Sequence, residues 1–247
     1  MQITAYKTHK IQSQESLFEI LDQYLSIVTP RSIIVITSKI ISLCQNRILL
    51  KEEVKNKLDL IREEADLYLE GDYIKKYGIC LTIKNNVLIP TAGIDESNGN
   101  GYYILYPHKL QQTAAEIWQH LRVRTNFPEI GVLITDSHTT PLRLGVTGIA
   151  LAWCGFKPLF SYIGKPDIYG SPLRVTSINI LDSLAASAVF VMGEGEEQTP
   201  LAIIQKAPKI TFQERPPTEE EIQAITISPS EDLYAPLLTS VNWEKSR

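Results

Sequence analysis

The sequence predicts an α+β fold with mixed sheets, hairpins and packed helices. Three observations lead there. Short β-branched runs such as Ser32-Ile33-Ile34-Val35-Ile36-Thr37 read as buried strands. Other stretches place apolar residues three and four apart, the spacing of one helix face. Strand and helix patterns alternate only in part, because hairpin signals break the rhythm that a doubly wound parallel sheet needs.

The elements follow in chain order. Gln2-Ile3-Thr4-Ala5-Tyr6 alternates like a strand. Leu17, Ile20, Leu21 and Leu25 give helical spacing over residues 14–27. The strand at 32–37 exits into Ser38-Lys39. Residues 51–68 read as one charged amphipathic helix. Cys80-Leu81-Thr82-Ile83 and Val87-Leu88-Ile89 flank Asn85-Asn86, a hairpin signal because Asn tolerates the left-handed turn conformation. A polar loop rich in glycine spans 92–101, and a strand over 102–106 ends at Pro107. Ala114, Ile117, Trp118 and Leu121 share a helix face over 109–124. A strand over 130–135 runs into an Asp136 loop. Further strands are expected at 146–153 and 158–163. A small-residue helix is expected at 177–192, ended by Gly193, and a last strand at 201–204. Residues 207–247 differ in character, with Pro216-Pro217, Glu219-Glu220-Glu221, Pro229 and Pro236. They read as a C-terminal extension, helical or clasping, on a domain of residues 1–206.

Composition excludes several classes. The 247 residues carry 24 Lys and Arg against 28 Asp and Glu, a net charge of −4, with 44% hydrophobic residues. That is globular usage, far from the polar, charged make-up of a disordered chain. No basic excess or run marks a nucleic-acid binder. No apolar stretch reaches the roughly 20 residues of a membrane span, and the N-terminus lacks the apolar core of a signal peptide. Cys44, Cys80 and Cys154 are odd in number and far apart, so they read as small core residues in a reducing cytoplasm.

Chemistry has few obvious carriers. There is no GxxxxGK[ST] phosphate loop, no GxGxxG fingerprint, no HExxH and no GxSxG. His9, His108, His120 and His138 show no metal-ligand spacing. Two carboxylates stand directly after buried-looking strands: Asp95 in Thr91-Ala92-Gly93-Ile94-Asp95-Glu96-Ser97-Asn98, and Asp136 in Thr135-Asp136-Ser137. Carboxylates beside hydroxyl and amide groups suit oxygen-loving cations such as magnesium or manganese. The same residues also make ordinary turns, and pattern alone leaves both readings open. Lys39, Arg47 and Arg143 are single cations near loops, able to clamp a phosphate or simply to face water.

The combination is more specific than its parts. In order, the chain presents Ser38-Lys39, Ala92-Gly93-Ile94-Asp95-Glu96-Ser97-Asn98 and Thr135-Asp136-Ser137-His138-Thr139-Thr140-Pro141. Gly145-Val146-Thr147-Gly148-Ile149-Ala150 follows. Then come Asp167-Ile168-Tyr169-Gly170 with Leu173 and Thr176, and Leu181-Asp182-Ser183-Leu184-Ala185 running to Met192-Gly193-Glu194. Over residues from about 8 to 206 this order resembles the F420-0:gamma-glutamyl ligase family, with the Ala-Gly-Ile-Asp-Glu-Ser-Asn string as its most specific element.

The resemblance implies a GTP-dependent ligase that adds L-glutamate to a carboxylate acceptor, F420-0 or a related one, through an acyl phosphate. It implies a divalent metal, magnesium or manganese, admits a monovalent cation, and implies a cytoplasmic homodimer. Asp95, Asp136 and Ser137 would hold metal. Ser38, Lys39, Arg47 and Asn98 would line the nucleotide site, next to the turn Thr8-His9-Lys10-Ile11. Glu194 is a further candidate for metal or nucleotide.

The departures concern the neighbourhood of these residues. His138-Thr139-Thr140 replaces Phe-Gly-Arg, and Leu144 and Ser183 each stand where the family has Glu. An altered acceptor follows as an expectation, which makes a folate-pathway glutamate ligase the first alternative. A non-catalytic nucleotide-binding homologue is the second. No catalytic side chain is singled out, since phosphoryl transfer needs positioning and charge neutralisation more than a protein nucleophile.

Overall fold

The computed structural model describes residues 1–71, 74 and 78–246. Its centre is a five-stranded mixed sheet. It contains β1 (Gln2–Tyr6), β2 (Ser32–Thr37), β8 (Ile130–Thr139), β9 (Val146–Cys154) and β12 (Leu201–Gln205), in the order β1-β12-β2-β8-β9. Only β2 and β8 run parallel; the other neighbours are antiparallel.

Both faces of this sheet are covered, and the period-two alternation of its strands shows how. Ile34 and Ile36 of β2 join one core cluster, whereas Ile33 and Val35 join the other. The first cluster receives Ile20 and Leu21 of α1 (Leu17–Tyr24) and Ile40 and Ile41 of α2 (Ser38–Cys44). It also receives Ala114, Ile117, Trp118 and Leu121 of a long helix (Leu110–Thr125). The second cluster receives Leu181, Leu184, Ala185, Ala188 and Met192 of the helix Ile180–Met192. A sheet buried on both faces needs near-continuous apolar strands, which is what the run 32–37 supplies.

A smaller unit sits beside this frame. Strands β4 (Leu67–Tyr68), β5 (Leu81–Lys84) and β6 (Val87–Pro90) form a sheet with β13 (Glu244–Lys245), in the order β13-β4-β5-β6. The β5–β6 turn has Asn85 and Asn86 at φ 47° and 62°, as the Asn-Asn hairpin signal predicts. Helix α3 (Lys57–Glu64) supplies Leu60 and Ile61 to its core. Strands β3 (Ile48–Leu50) and β7 (Tyr102–Ile104) pair next to it.

In chain order the remaining labels are α4 (Leu110–Thr125), β10 (Leu159–Ser161), β11 (Ser177–Asn179), α5 (Ile180–Met192), α6 (Glu219–Gln223) and α7 (Ala235–Leu238). Residues beyond 206 run along the frame, where Gln213 N–H donates to the Gly155 carbonyl. They then cross to the smaller unit, where β13 pairs with β4.

Two expectations need correction. Residues 51–68 are not one helix. Asn56 accepts from the Leu58 N–H and starts α3 only at Lys57, and Leu67–Tyr68 is a strand. Ser38-Lys39 stands at the exit of β2, as expected, and opens α2. Asp136 lies within β8 and not in a following loop, because β8 continues to Thr139 opposite β9. Smaller shifts also occur: the helix expected from 177 starts at Ile180, after a strand pairing with β10.

Candidate functional site

The site lies at the end of the central sheet where β2 and β8 finish side by side, with Thr37 registered against Thr135. β2 passes directly into α2, so Ser38 and Lys39 stand at this end. β8 carries on into Asp136 and Ser137. Strand alternation sends these two side chains to opposite faces. Asp136 faces α2, where Ser38 Oγ donates to its Oδ2 at 2.7 Å. Ser137 faces the end of α5, where its Oγ donates to Glu194 at 2.5 Å. Beyond Ile134 the β8–β9 register slips by one, leaving Leu151 of β9 as an extra residue. Such a bulge bends a strand pair where it meets a site.

The third wall comes from the loop after β6. Thr91, Ala92 and Gly93 take successive positive φ values of 55°, 54° and 71°. Ala92 N–H donates to Thr82 Oγ1 at 2.8 Å, which anchors the turn. Gly93 has a double requirement: a left-handed φ, and a Cβ there would lie 2.7 Å from the Tyr106 ring. The turn delivers Asp95 to an antiparallel bridge with Ile104. Two consecutive non-glycine residues in the left-handed region cost energy that the surrounding bonds must hold.

Asp95 Oδ2 meets Lys39 Nζ at 2.6 Å, and its Oδ1 accepts from the Ser97 N–H and hydroxyl. Lys39 Nζ also donates to the Ser97 carbonyl at 3.2 Å. Asn98 Nδ2 donates to the Gly195 carbonyl at 3.1 Å, tying this loop to the turn after α5. Thr8 N–H donates to the Gln198 carbonyl at 2.9 Å, which brings the N-terminal turn to the same segment. Hydrogen bonds link Ser38, Asp136, Ser137 and Glu194 in one group and Lys39 with Asp95 in a second, while Asn98 is tied to Gly195, next to Glu194; Ser38, Lys39, Asp95 and Asp136 line one cleft. Arg47 is engaged elsewhere: its Nη2 holds both oxygens of Glu64, at 2.8 and 2.7 Å, and its Nε donates to the Tyr106 carbonyl.

The two carboxylates differ electrostatically. Burial works against the Asp95 charge, but the Lys39 ammonium and the Ser97 bonds outweigh it and hold the carboxyl below its usual range. Burial raises Asp136 to about 6, and the negative charge of Asp95 adds to the rise; the Ser38 hydroxyl and Ser137 N–H oppose it. Asp136 is thus an under-neutralised carboxylate facing a second one. Thr135, beside it, has a buried hydroxyl with no hydrogen-bond partner among the described residues. A narrow cleft of about 20 Å³, room for one water-sized occupant, lies among Ser38, Lys39, Asp95, Tyr106 and Asp136.

This donor set fits a hard divalent cation: two carboxylates and neighbouring hydroxyls, all oxygen. Among the described residues no group of three or more His, Cys, Asp or Glu side chains converges. The fit is therefore to an open site completed by water or ligand oxygens, and not to a closed structural one. Sequence reasoning missed Tyr106, which packs on Gly93 and lines the cleft; its only sequence signal was its place before Pro107. Leu144 is fully exposed, and Ser183 Oγ bonds the Asn179 carbonyl on the first turn of α5.

The family described as F420-0:Gamma-glutamyl ligase matches residues 6–206. A protein of Methanopyrus kandleri named coenzyme F420:L-glutamate ligase is 34% identical over 170 residues, 67% of this chain and 66% of that relative. The chain thus spans just under two thirds of it. Proteins of the same name from Methanococcus maripaludis and Methanothermobacter thermautotrophicus are 29% and 33% identical. They cover 81% and 71% of this chain and 84% and 75% of their own lengths. No helix among the described residues is long and apolar enough to cross a membrane. With the match spanning residues 6–206, and with its loops gathered at one end of the central sheet, the chain belongs to the F420-0:gamma-glutamyl ligase family.

Proposed function

We propose that this protein forms an amide between L-glutamate and the carboxylate of an acceptor of the F420-0 class, driven by GTP. The reaction is two-step. An acceptor carboxylate oxygen attacks the γ-phosphorus and the bond to the leaving diphosphate breaks, giving an acyl phosphate and GDP. The glutamate amine then attacks the acyl carbon, phosphate departs, and the amine loses its proton. The observation that carries the reading is the Asp95–Asp136 pair, two carboxylates beside Lys39 and Ser38 in one cleft.

The chain's own groups have separable tasks. Lys39 supplies a fixed positive charge at the cleft for a phosphate oxygen, a role that ammonium groups commonly fill. Asn98 and the Gly193–Gly195 turn, linked by their hydrogen bond, border the nucleotide. Asp95 and Asp136, with Ser137 and Glu194 on the other side of β8, would hold magnesium or manganese, which would neutralise charge on the phosphate oxygens. Arg47 braces the carbonyl of Tyr106 against α3 through Glu64, so its part here is positioning.

The test supplies purified protein with GTP, manganese or magnesium, L-glutamate and either F420-0 or dihydropteroate, and follows phosphate release and acceptor mass. A glutamyl adduct on F420-0 is expected. An adduct on dihydropteroate alone would move the acceptor to the folate class. Nucleotide binding without product on either would contradict the ligase reading.

A further inference from the structure

At the other end of the sheet, two ammonium groups share one pair of aromatic rings. Phe160 of β10 and Tyr162 pack edge-to-face with centroids 5.1 Å apart. Lys165 Nζ lies 4.3 Å from the Phe160 centroid and 5.3 Å from that of Tyr162. Lys209 Nζ lies 5.2 and 5.4 Å from the same two. All four distances are within cation–π range. Neither lysine has a carboxylate partner among the described residues. The nearest acid in sequence, Asp167, uses its Oδ1 on the N–H groups of Tyr169 and Ser171.

This arrangement is unusual in a chain with four more acids than bases. Near the site, Lys39 meets Asp95, and on α3 Glu64 meets Arg47. Here two like charges gather on one platform with no anion between them. Their backbones are fixed as well. Lys165 N–H donates to the Tyr162 carbonyl and its own carbonyl accepts from Leu173, both at 2.9 Å. Lys209 sits between Ala207 and Ile210, which pack on the second core cluster. The rings restrain two side chains that otherwise lose much rotamer entropy on binding. Lysine ammoniums act as point charges toward phosphate, whereas planar carboxylates favour arginine forks.

We propose that Lys165 and Lys209, held on Phe160 and Tyr162, form a second anion site that takes a diphosphate or polyphosphate group. Lys209 lies beyond residue 206, where the family match ends, and the platform is remote from Asp95 and Asp136. β11 pairs with β10 and leads into α5, whose far end carries Glu194. The inference does not depend on the ligase reading, since it concerns binding only.

The experiment is isothermal titration of the full chain with inorganic pyrophosphate at about 0.15 M salt. Lys165→Ala, Lys209→Ala and Lys39→Ala are run in parallel, with circular dichroism to check folding. The expected result is binding that each of Lys165→Ala and Lys209→Ala weakens by about tenfold or more and that persists in Lys39→Ala. Lys165→Gln and Lys209→Gln, which keep most of the stem, should lose binding too. Binding that survives in all Lys165 and Lys209 variants, or no binding by the parent chain, would overturn the proposal.

Discussion

Ser38 and Asp136 lie 98 positions apart in sequence and 2.7 Å apart in space, joined by a hydroxyl-to-carboxylate hydrogen bond. The contact exists because β2 and β8 are parallel neighbours in register, so that their ends coincide. Ser38 is 5% exposed. A hydrogen bond from a buried hydroxyl to a charged group contributes about 1.5–3 kcal/mol. Ser38→Ala is therefore expected to destabilise the metal-free protein by about 1–2 kcal/mol at pH 8. The loss should shrink at pH 5, where Asp136 is largely protonated. Denaturant titrations at the two pH values check this, and equal losses would contradict it.

Asp136 itself should trade stability for function. Its folded-state pKa, about 6, lies above the ordinary 3.8. The folded state thus binds the proton more tightly than the unfolded one. The stability this group contributes is present below pH 4 and lost as pH rises through 6. Asp136→Asn removes that loss. In chelator the variant should stay within about 1 kcal/mol of the parent near pH 4 and exceed it by about 3 kcal/mol at pH 7. It should at the same time bind manganese more weakly. Thermal melts across this range provide the check.

The Lys39–Asp95 ion pair should behave in the opposite way. Its side chains are 29% and 38% exposed, so pairing stabilises the fold by no more than about 1 kcal/mol. Lys39→Met and Asp95→Asn should leave denaturation midpoints nearly unchanged while lowering glutamate-dependent phosphate release by about a hundredfold or more. Paired stability and turnover measurements separate the two effects.

Gly155 should be intolerant of any side chain for reasons unrelated to the site. Its φ is 84°, and a Cβ there would lie 2.2 Å from Trp118 Nε1 and 2.3 Å from the Ile130 carbonyl oxygen. Those two atoms form a 2.9 Å hydrogen bond with each other. Gly155→Ala is expected to cost at least about 3 kcal/mol through overpacking and backbone strain. Trp118 fluorescence during unfolding reports both the stability and the broken bond.

The parts of this molecule that were legible in its sequence are those governed by short-range rules. The run 32–37, the Asn85-Asn86 hairpin and the helix face of Ala114, Ile117, Trp118 and Leu121 all stand where periodicity and turn chemistry put them. Segment 51–68 misled because its charged spacing suits a helix, while Asn56 caps a later start and β13, from the far end of the chain, pairs with Tyr68. The strand character of Asp136-Ser137-His138 depends on β9 lying opposite, which polar residues do not announce. Within the site, Ser38, Lys39, Asp95, Asn98, Asp136, Ser137 and Glu194 were nameable from motif order. Their contacts were not, since they depend on chain segments up to 98 residues apart. Arg47, a candidate phosphate clamp by its place in the sequence, pairs with Glu64 in the fold. Cys80 and Cys154 are buried as core residues and Cys44 is partly buried against the core, with burial pushing Cys154 up to about 12 and Cys44 to about 11.

The most direct test of the central claim is mass spectrometry of F420-0 after incubation with the protein, GTP, manganese and L-glutamate, with Asp136→Asn in parallel. The parent chain is expected to yield an acceptor heavier by one glutamyl unit, and the folded variant none. Equal product from both would contradict the assignment of the cleft, and no product from the parent despite bound GTP would contradict the ligase reading.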